Sequence, residues 1–291
     1  MYNKPYAILI ISHKSKNQLE RIISFFENSL FEVYIHLDKT ADFKLSDIKG
    51  EFRPLINQLP CSWGEYNVTL ATFSLLEKAF NDGKKYFFLI SGEDFPIKSK
   101  EYLHEFVKEN ILNDFFNVIP LSEALNDSRL INFKNRFRFV HIPKRSPSNF
   151  LEKIKFSFFY RFKKLQIKYD FLKFSIPRNI YVGVNWFNLS RDTVEKLLIG
   201  FKGNFLLRQR LKICLSSEEI LPHTLFWIIH NPQTWINDSL RFAKWKERKA
   251  NPEYLDKSDV DDLLKSPALF ARKFNDISVI DYLEGKLLRI N

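Results

Sequence analysis

Glycine and cysteine are scarce in this chain of 291 residues, which holds 8 of the first and 2 of the second. Cys61 and Cys214 are too few for a disulfide framework and their separation fits no zinc-ligand spacing, so both read as packed thiols. The turn after the first strand-like run, Ser12-His13-Lys14-Ser15-Lys16, has no glycine at all, which argues against a Rossmann dinucleotide site and against a P-loop. No apolar run reaches the roughly 18 residues that span a bilayer. Met1-Tyr2-Asn3-Lys4-Pro5 leads into a strand without a signal-peptide pattern, so the expectation is a soluble, cytoplasmic protein.

Acids are also in deficit: 34 Asp and Glu stand against 45 Lys and Arg, a formal charge of +11. The basic residues concentrate between Arg129 and Lys173, interleaved with aromatics in Asn135-Arg136-Phe137-Arg138-Phe139, Pro143-Lys144-Arg145 and Phe159-Tyr160-Arg161-Phe162-Lys163-Lys164. Such a segment suits a polyanion, an anionic membrane surface, a phosphorylated carrier or single-stranded nucleic acid. It is equally readable as a solvated basic helix that packs its aromatics inward. The 30 Phe residues fit a coding bias as well as they fit any function.

Length and a hydrophobic content of 45% allow one large domain. Tyr6 to Ile11 is apolar, Gln18 to Phe26 has helical spacing, and Phe31 to Asp38 alternates, which together predict a βαβ opening. A helix over Val68–Phe80 feeds a buried strand over Tyr86–Ile90, followed by a helix over Glu101–Val107. A strand over Ile180–Leu189, a helix from Ser190, and another from Ser216 through Trp227 complete the regular pattern. The fold class is α/β, with a mixed, mostly parallel central sheet flanked by helices. One domain over 1–291 is expected, with a nucleotide-binding type of sheet in its half 1–120 and a second half over 121–291.

Chemistry concentrates at strand ends. Ser91-Gly92-Glu93-Asp94-Phe95-Pro96-Ile97-Lys98 sets two carboxylates at the C-terminal end of a buried strand, where open α/β sheets bind ligands, although the same residues also make an ordinary polar turn. His36-Leu37-Asp38-Lys39 puts an imidazole and a carboxylate on one face of a strand end, suited to a ribose or uracil or simply to water. Ser216-Ser217-Glu218-Glu219 places two acids in the first turn of a helix, either as dipole complements or as a general base. Arg272-Lys273, framed by Phe270-Ala271 and Phe274, suits a diphosphate through a fork and a point charge.

In this order the segments Ala7–Lys14, Ile35–Lys39, Ser62-Trp63-Gly64, Ser91–Lys98, Gly183–Arg191, Ser216–Thr224 and Phe270–Phe274 resemble the core-2/I-branching family of glycosyltransferases. That family holds β-1,6-N-acetylglucosaminyltransferases and peptide xylosyltransferases. The resemblance implies a GT-A type fold, inversion at the anomeric carbon, and a UDP-sugar donor used with no metal and no other cofactor. It implies Glu219 as catalytic base, Ile11, His13, Asp38, Arg272 and Lys273 on the donor side, and Glu93, Asp94, Asn185 and Trp186 on the acceptor side. Asn185 departs from the xylosyltransferase branch, where an Asp precedes the Trp, and this leaves Glu219 as the single candidate base.

The expected activity is transfer of a sugar, first of all N-acetylglucosamine, to a saccharide or glycolipid acceptor of a bacterial surface glycan such as lipooligosaccharide or capsule. Peripheral contact with the anionic inner face of the membrane is expected, and no nucleic acid. The competing readings are transfer of another sugar such as xylose, or a non-enzymatic single-strand-binding protein that uses residues 129–173.

Overall fold

The computed structural model describes residues 4–62, 64–124, 133–141, 150–169, 171, 179–246 and 251–290. Strands β1 (Tyr6–Ser12) and β2 (Phe31–Leu37) pair in parallel, with helix α1 (Lys16–Phe25) between them in the chain. Leu19, Ile22 and Ile23 of α1 recur at helical spacing and are buried, so one face of the helix is fixed to the core. There follow β3 (Arg53–Pro54), α2 (Tyr66–Asn81) and β4 (Tyr86–Ser91). Beyond the turn at Gly92-Glu93 come β5 (Asp94–Pro96) and α3 (Lys100–Glu109), which Ser99 caps by accepting a hydrogen bond from the Tyr102 amide.

Next are β6 (Asp114–Phe116), β7 (Ile119–Pro120), α4 (Leu121–Ala124), α5 (Phe133–Arg138) and α6 (Phe150–Tyr169). The strand expected over Ile180–Leu189 is in fact two, β8 (Tyr181–Val182) and β9 (Phe187–Ser190), in different sheets. The break has a steric cause. Gly183 lies so close to the Asn117 carbonyl and the His223 ring that a Cβ there would collide with both, and the chain turns at the one residue that fits.

Helices α7 (Arg191–Gly203) and α8 (Phe205–Leu211) come next. The single helix expected from Ser216 is also divided, into a 3₁₀ turn at Ser217–Glu219 and α9 (Leu221–Ile229). Ser216 has a left-handed φ of 59° and does not cap the turn, and Ile220 leaves helical geometry before Pro222 restarts it. The chain closes with β10 (Trp235–Ile236), β11 (Arg241–Ala243), α10 (Val260–Lys265), β12 (Phe270–Arg272) and α11 (Ile277–Ile290).

The main sheet has the order β10-β6-β9-β4-β1-β2-β3, and only β9 runs against its neighbours. This is the mixed, mostly parallel α/β sheet that the sequence pattern demands. Alternate residues serve opposite faces. Ile8, Ile10, Ile35, Phe88 and Ile90 pack with α1 and α11, while Ala7, Leu9, Tyr34, Phe87 and Leu89 pack with α2, α7 and α9. Strands covered on both sides read as continuous apolar runs, and each Leu, Ile or Phe side chain among them contributes ~1.5–3 kcal/mol through burial. A second sheet, β11-β12-β5, pairs β12 antiparallel to β5 so that Arg272 stands opposite Asp94.

Of the basic aromatic segment, Arg129, Pro143-Lys144-Arg145 and Lys173 lie outside the described residues. Its described part corrects the inward-packing alternative. Phe137 and Phe139 are buried, but on α6 Phe150, Phe158, Tyr160 and Tyr169 are exposed. No described helix is long and apolar enough to cross a membrane.

Candidate active site

Three parallel strands end side by side, and their tips carry the polar groups. Asp38, just past β2, donates its amide to the Ser12 carbonyl (2.7 Å) at the end of β1. Its Oδ1 accepts from the Thr40 amide and hydroxyl (both 2.7 Å) and its Oδ2 from the Cys61 amide (2.8 Å). A carboxylate offers about four acceptor positions, so most of this one already fixes the Leu59–Cys61 loop and about one position is left for a ligand. His36 is buried below it and takes the Leu59 amide on Nε2 (3.0 Å). The carbonyl of Ile11 accepts the Gly92 amide (3.0 Å), which draws the β4 turn onto β1; Gly92 packs against Ser12 where a Cβ would not fit.

The β4 turn then meets the cations. Glu93 is buried and ion-pairs with Lys14 (2.9 Å) and Lys273 (3.3 Å), with the Tyr254 hydroxyl at 3.4 Å. Burial alone would raise its carboxyl pKa, but Lys14 and Lys273 outweigh burial and hold it below the ordinary value. Asp94 is fully buried and accepts from the Ser91 amide (2.7 Å) and hydroxyl (2.9 Å), while Arg272 Nε lies 3.5 Å from its Oδ1. The Arg272 guanidinium also lies over the Trp186 ring, 4.2 Å from its centre. His13 stands at the same corner. Burial lowers its pKa, Lys14 and Lys273 reinforce this, and Glu93 and Asp38 oppose it.

Glu219 forms the other wall. Its side chain is 27% exposed, and its Oε2 accepts a hydrogen bond from Arg136 of α5 at 2.9 Å. Burial raises the Glu219 pKa, and Arg136 and Arg272 pull it back only in part, so Arg272 is close enough for its charge to act across the site. Glu218 is more deeply buried and is pushed up to about 8 by burial and by Glu219, which leaves it protonated near neutrality. Of the two acids, only Glu219 offers an accessible carboxylate. The turn that holds it is tied to the Asp38 loop, because the Ser216 amide donates to the Gly64 carbonyl (2.9 Å) and Ser217 Oγ meets Thr69 Oγ1 (2.7 Å). Trp63, read with Gly64 as one motif, lies outside the described residues.

Asp38, His13, Glu93, Asp94, Arg272, Lys273 and Glu219 therefore share one region, with Trp186 between Arg272 and the β9 approach. Glu93 and Asp94, expected on the acceptor side, are the counter-ions of Lys273 and Arg272, expected on the donor side, so the two sets of residues lie against each other. They are brought there by the β5–β12 register. Asn185 is partly buried and its Oδ1 accepts nothing from the described residues. Sequence reasoning missed Arg136, Lys14 and Tyr254 as site residues. For Arg136 and Lys14 the only signal is unbalanced charge, since the adjacent acids Glu218-Glu219 and the acid Glu93 require cations from elsewhere in the chain; Tyr254 has none.

On α9, His223 Nε2 meets the Val184 carbonyl (3.0 Å), and burial pushes the imidazole down to about 3, so it stays neutral. An open depression of about 590 Å³ bordered by Lys244, Lys246 and Tyr254 adjoins the Glu93 corner. Among the described residues no three His, Cys, Asp or Glu side chains gather as a metal-holding group.

A protein-family model described as Core-2/I-Branching enzyme matches residues 6–263. No curated protein matches the chain. Among solved structures, 4-diphosphocytidyl-2C-methyl-D-erythritol synthase from Anaerococcus prevotii is similar at 12% identity and a TM-score of 0.37, over 80% of this chain and 86% of that one.

Proposed function

Because the chain belongs to the core-2/I-branching enzyme family, whose members are glycosyltransferases, we propose that it is an inverting, metal-independent enzyme that takes a sugar from a UDP-sugar. N-acetylglucosamine is the first donor sugar to test, and the acceptor is a saccharide or glycolipid hydroxyl of a bacterial surface glycan. The observation that carries this reading is Glu219, an accessible carboxylate with a raised pKa, set within reach of the charge of Arg272, whose neighbour Lys273 adds a second cation.

In this mechanism the acceptor oxygen attacks the anomeric carbon from the face opposite UDP, and Glu219 takes the hydroxyl proton. The bond from the anomeric carbon to the β-phosphate oxygen breaks, and its electrons leave with UDP. Arg272 and Lys273 stabilise the charge that develops there, as cations already held in place by their ion pairs. Ile11, His13 and the remaining acceptor position of Asp38 bound the nucleoside end. Asn185 and Trp186 line the acceptor approach, and Glu93 and Asp94 hold the cations in place.

The metal-independent part of the reading rests on these cations, which supply charge where a metal ion would otherwise act. A screen of UDP-sugars against saccharide acceptors, followed by mass spectrometry, tests it. Transfer with inversion supports the proposal. Release of no sugar from any UDP donor overturns it.

A further inference from the structure

Helix α6 is docked along a narrow side, and most of its other described side chains are exposed, Tyr160 and Ile167 among them. Gln166 is fully buried, and Lys163 Nζ meets His141 Nδ1 at 2.9 Å, which marks the inner side. At ~100° per residue, Phe150, Leu151, Ile154, Phe158, Leu165 and Tyr169 fall within a ~100° sector away from it. Their exposures run from 47% for Leu165 to 75% for Phe150, so a stripe of large apolar side chains crosses the helix's whole length in contact with water. The exposed cations Lys153 and Lys164 flank the stripe on one side, and Arg161 and Lys168 lie at its edge. By sequence the helix carries six Lys or Arg against one acid, Glu152.

We propose that this face of α6 is a docking surface for an anionic lipid bilayer, lying flat in the headgroup layer. Two observations select lipid among polyanions. Ile154, Leu151 and Leu165 are aliphatic and cannot stack on bases, so half the stripe has no use on a nucleic acid. The apolar sector bordered by long cationic side chains also matches a helix that buries its stripe to the acyl boundary while Lys and Arg reach phosphate groups. The second consequence is orientation. His141, which holds α6 through Lys163, donates its amide to the Ile213 carbonyl (2.8 Å), and Arg136 of the adjoining α5 holds Glu219. The helix thus sits on the side of the molecule that carries the base, and on the proposed reaction it would bring that wall to an acceptor anchored in the membrane.

The full chain is tested by co-sedimentation with vesicles of phosphatidylglycerol mixed with phosphatidylcholine, beside vesicles of phosphatidylcholine alone. The probe variant is Ile154→Ser, Phe158→Ser and Leu165→Ser together, all at exposed positions. Binding to the anionic vesicles and a loss of about tenfold or more in the variant are expected. No binding to anionic vesicles overturns the proposal. Binding that survives the variant also overturns it, as a plain charge effect, and so does a wild-type dimer in solution that the variant turns into a monomer. Transfer to a soluble acceptor is measured on both proteins and should be equal. Absence of transfer in both sinks the catalytic reading while the vesicle result still stands by itself.

Discussion

The Arg136 guanidinium donates to the Glu219 carboxylate at 2.9 Å, so the proposed base is held by a cation from an element eighty-three residues earlier in the chain. A base tied to an arginine is oriented at the expense of basicity. Burial raises the Glu219 pKa and Arg136 opposes it. Replacing Arg136 with Met should therefore move the acid limb of the kcat profile to higher pH, because the folded pKa of Glu219 rises when the cation is lost. A pH–rate profile with an unmoved acid limb would remove Arg136 from this role.

Glu219→Gln keeps the shape of the side chain and deletes the proton acceptor. Transfer should fall by about 10²–10⁴-fold while UDP binding, read by calorimetry, stays near the wild-type value. Turnover at more than a tenth of wild type would exclude Glu219 as the base.

Arg272 and Lys273 should differ when replaced. Arg272→Ala leaves the fully buried Asp94 without its facing cation and uncovers the Trp186 ring, so both UDP affinity and Tm should drop. Lys273→Met should weaken UDP binding with a smaller change in Tm, because Glu93 retains Lys14 at 2.9 Å. Equal Tm losses in the two variants would contradict this division.

Two buried groups pull the pH dependence of stability in opposite directions. His223 is held down to about 3, so the unfolded chain takes up a proton below about 6.5 that the folded chain refuses, and stability falls as pH drops from there. Glu218 is held up at about 8, so the unfolded chain loses its proton first and stability falls as pH rises from the ordinary carboxyl range toward 8. Urea midpoints of His223→Gln should lose less on acidification than wild type, and those of Glu218→Gln should lose less on alkalinisation. Parallel curves for all three proteins would refute both assignments.

Full activity is expected in excess EDTA, since the proposed mechanism assigns the leaving diphosphate to side-chain cations. A strict requirement for added Mn²⁺ would contradict the proposed mechanism.

The strand ends were legible because burial on both faces makes β1, β2 and β4 continuous apolar runs, and the first polar residues after them must lie at the sheet's edge. Asp38 and Glu93-Asp94 were visible for that reason. The pairing of Asp94 with Arg272 was not, because it depends on an antiparallel register between short strands 176 residues apart in the numbering of the paired positions Phe95 and Ala271. Arg136 was hidden in a run of similar basic residues, none of which differs from its neighbours in sequence. The outward face of α6 was hidden for another reason: aromatics at helical spacing read the same whether they face a core or water.

The β5–β12 pairing also has a consequence for synthesis. Lys14, Glu93 and Lys273 form one ionic corner, so its three members leave the ribosome at widely separated times. The βαβ opening can condense early, but Glu93 stays without Lys273, and Asp94 without Arg272, until nearly the whole chain has emerged. Long-range closure of this kind slows folding. A nascent chain halted before Phe270 would hold both carboxylates on a segment with no strand to pair with, so the Glu93–Lys273 corner can mature only once β12 has emerged.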